Sequence, residues 1–225
     1  MKKSSKIIII AAAISLVSGF FFPLWDISLE APQYPEGLGM KIWVNKISGD
    51  LNTINGLNHY IGMKTIEPDS IKELSIMPYV LGFLMLMGVI AGIAGRKKLL
   101  YAWVALFIIA GIAGGVDFWM WEYDYGHNLN EEAAIKVPGM NYQPPLIGSK
   151  QLLNFTAHSY PDTAGMIIII SGLLSVGVLF CEIFCKKSLA KKEIKNVERS
   201  ETGKEKNSKN ISHTAYNTGS FRLQH

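Results

Sequence analysis

Long runs of apolar residues alternate along the chain with segments of mixed character. Four runs stand out: about Ile7 to Leu24 (IIIIAAAISLVSGFFFPL), about Ile76 to Gly95, Leu99 to about Trp119, and about Ala164 to Phe184. A helix needs roughly 20 apolar residues to cross a hydrocarbon layer about 30 Å thick. Each run meets that length, so the pattern predicts four transmembrane helices. The expected divisions are 1–25 for the N-terminal segment and first span, 26–75 for a first outer loop, and 76–119 for two spans joined by a short basic turn. A second outer loop over 120–163, a fourth span over 164–185 and a tail over 186–225 complete the chain. The predicted fold class is an all-α integral membrane protein with four transmembrane helices. Both termini are expected in the cytoplasm, with two extracytoplasmic loops forming a small cap.

Charge supplies the orientation. Lys2, Lys3 and Lys6 precede the first run, Arg96, Lys97 and Lys98 fill the turn after the second, and Lys186, Lys187, Lys191 and Lys192 follow the fourth. Basic residues collect on the cytoplasmic side of membrane proteins, which puts all three clusters inside and the two large loops in the periplasm of an inner-membrane protein. The first run ends in FFFPLWD, without the small-residue cleavage site of a signal peptide, so it is expected to stay as an anchor. Of 225 residues, 49% are hydrophobic and 18% charged, and the net charge of +4 sits mainly in those clusters. No basic patch interleaved with aromatics exists, which excludes a nucleic-acid partner. Gly88 with Gly92, and Gly111 with Gly115, have the G-x-x-x-G spacing that lets helices approach closely, within a bundle or between subunits of an oligomer. The tail, rich in Lys, Glu, Ser and Asn, is expected to be disordered.

The runs themselves carry little chemistry. Spans one and two have no ionisable residue, and no span contains a histidine, which disfavours an ion channel or pump and excludes bis-histidine haem. Cys181 and Cys185 are four apart at the end of the fourth run; Cu(I) binding or lipidation is chemically open to them, but plain packing of small apolar residues is the favoured reading. No G-x-S-x-G, P-loop, G-x-G-x-x-G or H-E-x-x-H occurs, so an enzyme is not expected.

Candidate chemistry therefore lies in the loops. They share a Pro/Gln/Tyr cluster, a Gly-Met pair and a Leu-Asn before a His and a Tyr, a faint internal repeat. LNTINGLNHYIGM reads as a short helix ending near Gly62, with His59 and Met63 on one face. Imidazole and thioether suit Cu(I). The candidate metal residues are His59 and Met63, with Met40, His127, Met140 and His158 as completions; zinc fits poorly because methionine is not among its ligands. DFWMWEYDYGHN adds an acidic, aromatic rim of Asp117, Glu122, Asp124 and His127.

Three phrases go further: LEAPQYPEGLGMKIWVNKISGDLNTINGLNHYIGM, EYDYGHNLN and VPGMNYQPPLIGSKQLLNFTAHSYPD. Over roughly residues 20 to 185 the chain resembles a family of small multi-pass membrane proteins encoded beside nitrous oxide reductase and its copper-maturation machinery. The resemblance implies an accessory of nitrous oxide reduction in denitrifying and related bacteria, one that handles copper or docks the maturation proteins of a periplasmic copper enzyme. Two alternatives stay open: a scaffold without metal that recruits redox partners or an ABC-type maturation complex, and a quinone-interacting electron-transfer subunit.

Overall fold

The structure is a computed structural model that describes residues 1–184. The expectations for the tail and for Cys185 lie outside these residues. Met1–Leu179 form one compact unit, and Phe180 begins a second.

Five helices are described. α1 (Lys3–Ser15) tightens into a 3₁₀ turn through Phe20, α2 is Leu51–Ile61, α3 is Lys72–Ala94, α4 is Lys97–His127 and α5 is Thr163–Phe184. All except α2 are long and apolar enough to cross a membrane, so this is a membrane protein with four candidate spans. Large side chains such as Ile93, Phe83, Ile112 and Leu173 point outward from them, as lipid contact requires.

The chain is not all-α. Segments between these helices fold into five strands: β1 (Trp25–Ala31), β2 (Tyr34–Ile42), β3 (Ile47–Gly49), β4 (Gly148–Leu152) and β5 (Phe155–Pro161). They form one antiparallel sheet in the order β3-β2-β1-β5-β4. The all-α expectation is overturned, and the fold is mixed α and β. The reason is visible in β1, where Trp25, Ile27 and Leu29 alternate with Asp26, Ser28 and Glu30, the period-2 pattern of a half-buried strand. Pro32 and Gln33 turn the chain into β2, with Pro32 presetting its own φ. Pairing then sets Ile27 opposite both Met40 and Ser159, and Leu29 opposite Leu38 and Ala157. These residues share the sheet's inner face.

Ile54, Leu57, Asn58 and Ile61 recur along α2 at helical spacing and line the space under that face. The remaining wall comes from α4. At 31 residues this helix is about 46 Å long, well beyond the roughly 30 Å of hydrocarbon. Its last turns leave the span and enter the sheet's core, where Phe118, Trp121 and Tyr125 pack with Ile27, Met40 and Ile66. Trp25 meets Phe118 edge-on at 5.4 Å.

The opposite end of the bundle is closed by small residues. Gly88 sits where a Cβ would come within 2.6 Å of both Ala13 and Trp103, and Gly92 where one would meet Ile10 at 2.4 Å. Trp103 is fully buried and donates its indole N–H to the Leu84 carbonyl at 2.8 Å. By contrast, nothing lies within 4 Å of a Cβ at Gly111 or Gly115. Among the described residues, only the first G-x-x-x-G pair meets another helix.

Candidate functional site

Beneath the sheet is an apolar cavity of about 60 Å³. Its walls are the inner sheet face, α2, the last turns of α4, and the segment at Tyr142 and Pro144. One wall residue is a carboxylic acid. Glu122 is fully buried, and among the described residues neither carboxyl oxygen has a hydrogen-bond partner. Burial pushes its carboxyl up from an ordinary 4.5 to about 8. Tyr142 also lines the cavity, is 2% exposed, and its hydroxyl lacks a partner. The Trp121 indole N–H, also on the cavity, is a third buried group without a partner among the described residues. Buried polar groups are nearly always hydrogen-bonded, so three orphans on one cavity point to something that fills it.

The frame around this cavity is tightly held. Tyr142 is anchored by its N–H to the Gly126 carbonyl at 2.9 Å. Gly126 has no room for a side chain, since a Cβ would lie 2.4 Å from the Gln143 backbone. A Gly126→Val variant is expected to push this segment outward and lose about 2–3 kcal/mol of stability, read as a fall in the thermal midpoint of the detergent-purified protein. Asn55 braces the exit of α2 by accepting from the Ile66 N–H at 2.8 Å and donating to the Ile66 carbonyl at 3.0 Å. Gly62 caps α2 in the left-handed conformation, φ 82°, and its carbonyl accepts from Asn130 N–H at 2.8 Å. Lys64 pairs with Asp124 at 2.6 Å. The Lys64 hydrogen bond, aided by Asn128, holds the Asp124 carboxyl below its usual range. The acidic rim read from the sequence thus divides into a solvated ion-paired Asp124 and a buried Glu122.

The six candidate metal residues are not gathered. Met40 and Met63 both line the cavity. His59 is exposed on α2, its ring edge-on to Tyr60. The helix ends at Gly62, so Met63 leaves the face that His59 was expected to share with it. His127 stacks on Tyr123 at 4.0 Å. Met140 lies in the connection before β4, its N–H on the Val137 carbonyl. His158 stands on β5 beside Ala157 and Ser159, and alternation puts its side chain on the outer sheet face. Among the described residues, no group of three or more His, Cys, Asp or Glu could hold a metal.

Around His158 the structure collects residues that no motif announced. His158 Nδ1 is 2.6 Å from Ser149 Oγ, and Tyr160 Oη is 3.3 Å from the same oxygen. Glu30 Oε2 is 3.8 Å from His158 Nε2, beyond hydrogen-bond reach. The signal lay in the pairing of β5 with β1 and β4, which aligns His158 with Ser28 and Ser149. The cluster is a polar outer surface, and none of its members lines the cavity. Compared with known proteins, the chain matches no family model and no curated protein.

Proposed function

We propose that this chain is a membrane-anchored accessory protein of the nitrous oxide reduction system. It acts by binding, through its sheet domain, with the Glu122 cavity as its ligand site. The observation that carries this reading is the pair of buried polar groups, Glu122 and the Tyr142 hydroxyl, left without partners at one apolar cavity. The link to nitrous oxide reduction rests on the loop phrases quoted above. Dispersal of His59, His127, Met140 and His158 favours docking and ligand binding over copper handling by a joint histidine and methionine site.

The sheet domain belongs on the periplasmic side. The Met1 amine donates to the Gly95 carbonyl at 3.1 Å, so the first two basic clusters share one end of the bundle. The sheet packs at the other end, and basic residues favour the cytoplasm.

The test is genetic and biochemical. Deletion in a host that respires nitrous oxide is expected to lower its reduction. Wild-type protein restores it, whereas a Glu122→Leu, Tyr142→Phe double variant, present at equal level in the membrane, does not. Undiminished reduction after deletion overturns the accessory role; full rescue by the double variant overturns the cavity as its site.

A further inference from the structure

The cavity walls carry a chemical signature. The aromatic residues Trp121, Tyr125, Tyr142 and Phe155 border it, as do Met40 and Met63. Ring faces attract cations through their quadrupole, and sulfur is polarisable. Among the described residues no Lys or Arg lines the space, so these walls hold no positive partner for Glu122. An ionised carboxyl buried alone costs several kcal/mol, which a cation beside it offsets. The volume of about 60 Å³ admits roughly four water-sized groups at about 15 Å³ each. A compact group of four or five heavy atoms fits that volume.

We propose that the cavity binds a small methylated ammonium cation that retains an N–H, of the size of trimethylammonium. Glu122 is the counter-ion. The N–H donates to the carboxylate or to Tyr142 Oη, and the methyl groups face the rings and thioethers. This rests on the reading of the cavity as a ligand site. Binding takes one proton from Glu122, whose protonated form dominates below about pH 8. The other titratable groups on the cavity are Tyr125 of α4 and Tyr142; neither α2 nor the sheet contributes one to the lining. Burial raises Tyr125 above its ordinary value, so it stays neutral across the range that matters.

The experiment is isothermal titration of the full-length, detergent-purified protein with three probes of similar shape. Trimethylammonium carries charge and an N–H, tetramethylammonium carries charge alone, and tert-butanol is neutral with one donor. Trimethylammonium is expected to bind most tightly, with affinity rising about tenfold per pH unit from pH 6 toward 8. Glu122→Gln keeps the side chain's shape and is expected to weaken binding by at least about thirtyfold, with an unchanged tryptophan emission spectrum confirming its fold. Preferred binding of tert-butanol, without the rise toward pH 8, leaves the cavity a ligand site and overturns the cation. Equal binding to wild type and Glu122→Gln also overturns it. No binding of any probe overturns both the cation and the reading on which it rests. To separate a free amine from the end of a larger molecule, dimethylaminoethanol is compared with its glycerophosphoryl ester. Equal affinities assign an exposed headgroup, and loss in the ester assigns a free cation.

Discussion

Replacing Glu122 with glutamine is expected to make the protein more stable at pH 8 than the wild type, and no more stable at pH 5. The native carboxyl titrates at about 8 and an unfolded one near 4.5. Between those values the folded state holds a proton that the unfolded state has released. Stability therefore falls as pH rises through this window and levels off above it. At about 1.4 kcal/mol per pH unit the interval caps the loss near 5 kcal/mol. Water reaching the carboxyl reduces it, and about 2–3 kcal/mol is the expected difference. Glutamine cannot ionise, so its pH profile should stay flat across the same range. Thermal midpoints of both proteins in one detergent at pH 5, 6, 7, 8 and 9 measure this. Parallel profiles would show that Glu122 is solvated or already has a counter-ion.

The second large effect lies at the other end of the molecule. Gly88→Leu is expected to cost about 3 kcal/mol or more, because the new side chain must displace both Ala13 and the buried Trp103. Gly111→Leu is expected to change stability by less than about 0.5 kcal/mol, since the position opens outward with nothing nearby. Trp103 emission and the yield of monodisperse protein report both variants. A Gly111→Leu variant as damaged as Gly88→Leu would show that this surface of α4 is covered by a second copy or a partner in the membrane.

The contrast between these glycines shows what the sequence could convey. Two identical spacings were present, and only the fold tells which one meets another helix. The spans were legible because hydrocarbon thickness imposes a length on apolar runs, and all four helices begin within a few residues of where the runs placed them. The strands were hidden for a physical reason. β5 turns Ala157 and Ser159 toward the core, residues too small or too polar to mark a buried face, and Pro35, Gly37 and Gly39 interrupt the alternation in β2.

Glu122 was hidden by a boundary. With α4 taken to end near Trp119, the acid belongs to a solvated rim. With α4 running to His127, Phe118, Glu122 and Tyr125 fall at helical spacing on the side that enters the sheet's core. The repeated i, i+3, i+4 aromatics of DFWMWEYDYGH were the available clue. Of the proposed ligands, Met40 and Met63 reach one cavity while His59 does not, because a left-handed glycine turns the chain between them.

The central pairing of β1 with β5 also imposes an order on biosynthesis. β1 emerges directly after the first span, yet its neighbour is made only after two more spans have been threaded into the membrane. At 5–20 residues per second, everything from Ala31 to Phe155 takes on the order of 10 s to synthesise. Through that interval β1 has β2 on one side and a bare row of amides and carbonyls on the other, with the future cavity open to water. Such an edge invites wrong pairing. The nascent domain thus depends on protection, by a chaperone or by delayed release from the insertion machinery, until the final hairpin arrives to complete it.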